Sequence, residues 1–254
     1  MPWPSDVLEL NKRPIVTTKR VGEGKHKVVI VDDFYAHPEQ VLELARGLYF
    51  LPNQGGVHGN FPGRRAFVSL DTQPLIQALS AHWGEPLESH APYQPVVFST
   101  IKNAADQVLN VDQRMPHIDP GVSAMVYLNQ SGECHGGTGI YRHVLTGLER
   151  VPHAVNDDLR ALAAGHGYHP ARLDEPDGLK RFEDAIVFNP LFAAKENRYI
   201  DDGNEFWELL YLVKMRFNRL VIFDGRMPHS QHLSLEAYRD TVRLNQILYL
   251  KGHD

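Results

Sequence analysis

The chain has 254 residues, of which 43% are hydrophobic and 22% are charged, and its formal net charge is −5. These values are those of an ordinary globular protein, and a length of this order suits one large domain. The acidic balance argues against a general nucleic-acid binder, which needs a basic face for the phosphate backbone. The one cysteine, Cys134, rules out a disulfide scaffold and favours a reducing compartment, so we expect a cytoplasmic protein.

The start of the chain gives no sign of a targeting or membrane segment. Met1 to Asp6 contains neither a basic stretch nor an apolar one, and no later run reaches the roughly 18 apolar residues that span a bilayer. Residues 1 to 26 have no clear period and are expected to form an irregular arm with one short strand. Lys27 to Val31 is short and β-branched, which predicts a strand.

Two helices are predicted next. Proline is favoured at the first helical position, and apolar residues recur on one face after Pro38. A second helix is expected from Asp71 to a cap at Gly84. Both are expected to cover one face of a sheet.

Strands are then predicted at Gln94 to Ile101 and at Val122 to Leu128, joined by a loop from Asn103 to Met115. Glycines 136, 137 and 139 predict a turn before a short strand from Ile140 to His143.

The sequence His117-Ile118-Asp119 lies between these two strands. Side chains two positions apart lie on the same side of an extended backbone, so the imidazole and the carboxylate can occupy adjacent positions on one metal. One His-x-Asp is close to what chance gives in a chain with 14 histidines, so the pair needs further support. Two histidines and one carboxylate would leave open the positions that non-haem Fe(II) oxygenases use.

From Leu145 to Gly203 the pattern changes, with a short helix capped by Asn156. A connection this long is expected to be a functional lid, with a covering layer as the alternative. The periodicity of Trp207 to Phe217 fits a helix or a strand, and its Trp, Tyr and Val content favours a strand. Arg219 to Phe223 and Val242 to Leu250 are predicted strands.

Asp224-Gly225-Arg226 predicts a tight turn just before His229. His229 directly follows that strand and turn, and His232 is its nearest competitor as a metal ligand. Arg243 opens the last predicted strand.

Taken in order, these motifs resemble the prolyl-4-hydroxylase-like branch of the Fe(II)/2-oxoglutarate dioxygenases. The resemblance implies that His117, Asp119 and His229 bind iron and form the catalytic centre, and that Arg243 binds the far carboxylate of 2-oxoglutarate. It also implies that Tyr127 reaches the cosubstrate, and Gly136-Gly137-Thr138 is similar to a Gly-Gly segment of the family.

The cosubstrate assignment leaves alternatives open. Asn245 shares a strand face with Arg243, so it is a candidate for the same pocket. Arg243 follows His229 by 14 positions, which is longer than is usual in the family and leaves Arg239 as a rival anchor.

The implied fold is mainly β with flanking helices: a double-stranded β-helix, or jelly-roll and cupin-like barrel. We expect one domain over 1–254, with N-terminal helical support at about 27–90, the barrel at about 94–143 and 209–250, and an insertion at about 145–203. The implied activity is hydroxylation of an amino acid, a peptidyl side chain or a small metabolite with Fe(II), 2-oxoglutarate and O2. No nucleic acid or membrane partner is expected.

Two alternatives remain for the function: a cupin-like metal enzyme without 2-oxoglutarate, and a non-catalytic binding barrel. Elsewhere, the pair Arg64-Arg65 is interpreted as solvated in preference to contacting an acidic substrate. The paired histidines His135 and His143, and His166 and His169, lack the partners of a known second metal site.

Overall fold

A computed structural model describes residues 6–52, 61–89, 96–102, 108–234 and 237–252. Its strands are β1 Ile15–Val21, β2 His26–Asp32, β3 Leu51–Pro52, β4 Arg64–Val68, β5 Leu87–Ser89, β6 Val96–Ile101, β7 Val122–Tyr127, β8 Gly137–His143, β9 Trp207–Lys214, β10 Arg219–Asp224, β11 His229–His232 and β12 Arg243–Gly252. Its α-helices are α1 Pro38–Arg46, α2 Gln73–Trp83, α3 Asp157–Gly165 and α4 Gly178–Phe182, and α4 continues into a π-helical turn, Glu183–Val187. Short 3-10 turns lie at Val111–Arg114, Ser131–Glu133, Pro170–Asp174 and Pro190–Phe192.

The strands form two antiparallel sheets. The large sheet has nine strands in the order β1-β2-β10-β7-β12-β6-β4-β3, with β5 paired to the end of β12. The small sheet has the order β11-β8-β9. Over the described ranges the strands form two separate sheets and no closed barrel. The prediction of a mainly β fold with flanking helices is confirmed, and the jelly-roll barrel stays a prediction.

The N-terminal helices cover the outer face of the large sheet, as predicted. The apolar face of α1 and that of α2 bury their residues against alternate side chains of β7, β10 and β12 in one core. On β12 this face carries Leu244, Leu248 and Leu250. Strand alternation then turns Arg243, Asn245, Ile247 and Tyr249 toward the small sheet.

A second core fills the space between the two sheets. It contains Tyr127 of β7, Ile140 of β8, Val213 of β9 and both Val221 and Phe223 of β10. This space between the sheets is where the side chains of the candidate site meet.

The segment from Leu145 to Gly203 forms a third core, which includes Tyr141 and Trp207 of the small sheet together with Leu159 of α3 and Phe182 of α4. The segment therefore packs as a layer on the small sheet, and its role as a functional lid stays a prediction. Asn156 caps α3 as predicted, because its side chain accepts a hydrogen bond of 2.8 Å from the Leu159 N–H. The division into support, barrel and insertion stays a prediction.

Two local expectations were wrong. Gly137 and Gly139 lie inside β8 and not in a turn, because their role is close approach: a Cβ at Gly137 would clash with the Val213 carbonyl of β9. In addition, Leu128 lies beyond the end of β7.

Most of the predicted strands and both N-terminal helices are confirmed. The N-terminal arm contains the seven-residue strand β1, and the strand predicted from Trp207 is confirmed as β9. Residues 1–5, 94–95 and 103–107, to which parts of the arm, of the Gln94 strand and of the Asn103 loop were assigned, lie outside the described residues. None of the described helices is long and apolar enough to cross a membrane.

Candidate metal centre

His117, Asp119 and His229 come together although more than a hundred positions separate the first from the last. The His117 N–H donates to the His229 carbonyl and the His229 N–H donates to the His117 carbonyl, each at 2.9 Å. This isolated β-bridge fixes the two segments side by side. One possible ligand atom from each of the three residues lies within 4.8 Å of the others.

The Asp119 loop is held by the tight turn that follows β10. The Asp119 N–H donates to the Gly225 carbonyl at 2.8 Å, and the Gly225 N–H donates to the Gly121 carbonyl at 2.7 Å. A Cβ at residue 225 would lie 2.7 Å from the Asp119 carbonyl oxygen. Glycine is therefore required for this close approach.

Hydrogen bonds around His229 leave one ring nitrogen for a cation. Its Nδ1 lies 2.8 Å from the Met227 carbonyl, which can only accept, so Nδ1 carries the proton. In the neutral ring Nε2 then presents a lone pair, and Nε2 lies 3.2 Å from Asp119 Oδ2. Two acceptors at this distance need a proton or a metal ion between them. A backbone carbonyl that orients the far nitrogen is the usual arrangement for a histidine ligand.

The pKa values of two of these groups fit metal binding. Burial lowers the pKa of His117 to about 4, and the nearby His229 and Arg65 lower it further against the opposing effect of Asp119. Burial raises the pKa of Asp119, but the hydrogen bond and charge that His229 supplies when a proton occupies its Nε2 outweigh this, and with smaller contributions from His117 and Ser123 the pKa falls to about 2. At neutral pH His117 is neutral and Asp119 is ionised, which are the states that bind a metal.

The three side chains open onto a cavity of about 970 Å³ between the sheets. Its floor includes Met125 of β7 and Thr138 of β8, and one wall includes Ile247 and Tyr249 of β12. The Leu145–Gly203 segment supplies another wall with Lys180, Glu183, Asp184, Phe188 and Pro190. A cavity this large can hold more than one small molecule.

Arg243 lies behind the floor of this cavity and does not line it. The side chain is 1% exposed. Its Nη2 donates to the Gly137 carbonyl at 3.1 Å and lies 3.9 Å from the Met125 sulfur. Among the described residues its Nε has no hydrogen-bond partner.

Tyr127 and Asn245 surround the same guanidinium. The Tyr127 ring centroid lies 5.7 Å from Arg243 Cζ, and the Tyr127 hydroxyl hydrogen-bonds to Thr138 Oγ1 at 2.7 Å. The Asn245 amide, oriented to satisfy its neighbours, accepts from Arg243 Nη1 at 3.0 Å. The structure thus brings the three predicted cosubstrate residues together, one layer below the cavity.

The rival residues lie elsewhere. Arg239 is exposed and precedes β12. His232, at the far end of β11, has its Nε2 3.1 Å from an Asp202 carboxylate oxygen and is not part of the triad.

One of the two adjacent arginines of β4 lies in the cavity. Arg64 is exposed, but Arg65 lines the cavity and donates from Nη2 to the Tyr249 hydroxyl at 3.0 Å. The interpretation of Arg64-Arg65 as a solvated pair was therefore wrong for Arg65. Nothing in the local pattern identifies which of two adjacent arginines faces inward.

Comparisons with known proteins give a family but no activity. No curated protein matches the chain significantly. Among solved structures, the chain is similar to the crystal structure of the non-heme alpha-ketoglutarate-dependent carbocyclase SnoK from nogalamycin biosynthesis. The identity is 12%, the coverage is 89% of this chain and 80% of that chain, and the TM-score is 0.38. A likeness this low carries no conclusion about chemistry. The family model of DUF6445 matches residues 12–175 and 171–242, and the chain therefore belongs to DUF6445, a family of unknown function.

Proposed function

We propose that this protein is an Fe(II)- and 2-oxoglutarate-dependent oxygenase that hydroxylates a small-molecule or peptidyl substrate. The observation that carries the proposal is the convergence of His117, Asp119 and His229 on a cavity that has a buried arginine, Arg243, behind its floor.

The pairing of the strands supports a double-stranded β-helix. From Val96 onward the strands pair from the ends inward: β6 with β12, the His117 bridge with His229 of β11, β7 with β10, and β8 with β9. Nested pairing of this kind is what a long hairpin produces when it wraps into a two-sheet jelly roll.

The donor set suits Fe(II). Two imidazoles and one carboxylate are the facial triad of non-haem iron oxygenases, and they leave coordination positions for other ligands. Ser123 Oγ, which lies 3.2 Å from Asp119 Oδ2, can fix the carboxylate by donating a hydrogen bond, and the Met227 carbonyl fixes the His229 ring. When bound, Fe(II) and 2-oxoglutarate would together supply the activation of O2 that oxidation of an unactivated C–H bond requires.

Arg243 would bind the far carboxylate of 2-oxoglutarate. A buried guanidinium is costly without an anion, and no carboxylate pairs with Arg243 among the described residues. The Met125 sulfur lies 3.9 Å from Arg243 Nη2 and its side chain lines the cavity, and methionine is a flexible side chain that readily adopts another rotamer. Tyr127 and Asn245 would hold the guanidinium in place, which prepares its planar fork for a carboxylate.

The Leu145–Gly203 segment would cover the site and exclude water. Its side chains Lys180, Glu183 and Phe188 form one wall of the cavity. Closing the cavity on this side strengthens every electrostatic contact inside it. Deleting the whole segment would uncover Tyr141 and Trp207, so its role is best tested by single substitutions in the wall.

A buried arginine behind the cavity floor favours this function over a cupin-like enzyme without 2-oxoglutarate, because such an enzyme has no need of a deep carboxylate anchor. Metal stoichiometry separates the proposal from a binding barrel without a metal site, and 2-oxoglutarate binding at the loaded metal separates it from the cupin-like enzyme.

Metal stoichiometry tests the proposal. After anaerobic loading with Fe(II), elemental analysis should find one ion per wild-type chain, and His117→Ala and Asp119→Ala should each abolish binding. His232→Ala is the matched control and should keep the ion, because His232 lies on β11 outside the triad. Unchanged iron content in both triad variants would contradict the proposal.

A further inference from the structure

Arg65 is a second cation in the cavity, separate from Arg243. It extends from β4 at the end of the large sheet, and its Cζ lies 3.8 Å from the centroid of the Phe61 ring. Its Nη2 donates to the Tyr249 hydroxyl at 3.0 Å. Stacking on one face and the hydrogen bond at one corner fix the plane of the guanidinium.

Arg65 has no carboxylate partner in the part of the chain that the structure describes. The other charged groups of the cavity wall are paired: the exposed Lys180 with Asp184, and the buried Glu183 with Arg226. Asp112 also lines the cavity but is exposed. The Arg65 Nε is buried and makes no hydrogen bond to any described group.

The charges of the proposed complex leave Arg65 unbalanced. A divalent metal and Arg243 together balance Asp119 and the two carboxylates of 2-oxoglutarate. Arg65 then remains as one positive charge beside a low-dielectric cavity. A ligand with one negative charge would neutralise it.

Tyr249 adds a donor at the same place. Burial raises the pKa of Tyr249 to about 12, and the charge of Asp119 adds to the effect while Arg65 opposes it. The phenol therefore keeps its proton at neutral pH. Because its oxygen already accepts from Arg65, its O–H can donate to a further acceptor.

We propose that Arg65 and Tyr249 form a carboxylate-binding subsite for the substrate, so that the substrate of this cavity is a monocarboxylic acid with an apolar body. A guanidinium presents a planar fork that matches the two oxygens of a carboxylate. The apolar body would lie beside the apolar side chains Phe61, Ile118 and Ile247, which line the same cavity. Use of this acid as the substrate of oxidation depends on the proposed function, whereas its binding does not.

Calorimetry with three probes tests the subsite. Hexanoate, hexanamide and hexyl phosphate share one apolar body and differ in the head group. Wild-type protein loaded with Fe(II) and 2-oxoglutarate under nitrogen should bind hexanoate at least tenfold more tightly than either of the others. Arg65→Met should remove that preference and leave the affinity for 2-oxoglutarate within threefold, Tyr249→Phe should reduce the preference in part, and Arg64→Met, the matched control, should change nothing.

Other outcomes overturn the inference. Equal affinity for hexanoate and hexanamide would show that no carboxylate subsite exists, and tighter binding of hexyl phosphate would replace the carboxylate with a phosphate. A loss of 2-oxoglutarate affinity in Arg65→Met would make Arg65 the cosubstrate anchor instead. The hexanoate titration is repeated without metal to separate the two proposals. If the protein proves unable to bind iron and still binds hexanoate through Arg65, the proposed function is refuted and the carboxylate subsite stands.

Discussion

Substitution of Arg243 by methionine separates a cosubstrate anchor from a structural arginine. Methionine occupies a similar volume, so the core between the sheets stays filled, but the charge and the planar fork are lost. Losing a charged pair of hydrogen bonds in a buried pocket costs roughly 2 to 5 kcal/mol. At about 1.4 kcal/mol per factor of ten, the dissociation constant for 2-oxoglutarate should rise by roughly 30-fold to several thousand-fold.

The effect of the same substitution on folding should be small. Removal of Arg243 leaves the Gly137 carbonyl without its 3.1 Å donor, which destabilises by about 1 to 3 kcal/mol. It also removes a buried charge whose Nε makes no hydrogen bond to a described group, and that change alone is stabilising. We therefore expect the free energy of unfolding to change by less than about 2 kcal/mol.

Calorimetric titration of 2-oxoglutarate into the Fe(II)-loaded protein under nitrogen measures the first effect, and urea denaturation measures the second. Arg239→Met is the matched control, because Arg239 is exposed and precedes β12. Iron content should be the same in all three proteins. An unchanged 2-oxoglutarate affinity in Arg243→Met would refute the assignment, and a loss confined to Arg239→Met would move the anchor to that residue.

Three further outcomes are expected. Burial, with a contribution from His166, lowers the pKa of His143 from 6.5 to about 4, so the unfolded chain binds a proton in this window that the folded chain does not. As the pH drops from 6.5 to 4, urea denaturation should therefore show a loss of stability about 3 kcal/mol larger in the wild-type protein than in His143→Phe, since His117 contributes equally in both; an identical pH slope in the two proteins would contradict the reasoning. Gly225→Ala should weaken Fe(II) binding at least tenfold in a folded protein, because the new Cβ would lie 2.7 Å from the Asp119 carbonyl oxygen, whereas Gly132→Ala, with nothing within 4 Å, should not. Glu183→Ala should destabilise the protein by about 3 kcal/mol in urea denaturation, because it leaves the part-buried Arg226 without its carboxylate. Equal effects of Glu183→Ala and Asp184→Ala, which breaks an exposed pair, would contradict burial as the cause.

Regular elements could be predicted because periodicity is a local property. The apolar face after Pro38 and the alternation along β12 are both visible in a few consecutive residues, and the structure contains α1 and β12 where they indicate. The alternation also gave the direction of Arg243 correctly. The depth of Arg243 below the cavity could not be predicted, because Met125, which contacts Arg243 and lines the cavity, comes from another strand.

The cavity residue Arg65 shows the limit of sequence reasoning. β4 is connected to the rest of the large sheet by pairing with β6, and no short-range pattern predicts that register. Arg64 and Arg65 are adjacent and chemically identical, so the inward one becomes known only when the pairing is known. The glycines of β8 show the same limit, because a glycine that permits close approach has the same sequence signal as one in a turn.

One anaerobic titration tests the central proposal most directly. Fe(II) and 2-oxoglutarate are added to the protein, and the visible absorption spectrum is recorded for the charge-transfer band that appears only when both ligands share one metal. We expect the band in the wild-type protein at one iron per chain, no band in Asp119→Ala, and a band only at much higher 2-oxoglutarate concentration in Arg243→Met. A wild-type protein that binds iron and shows no band at saturating 2-oxoglutarate would contradict the proposed oxygenase and favour a metal-dependent enzyme without this cosubstrate.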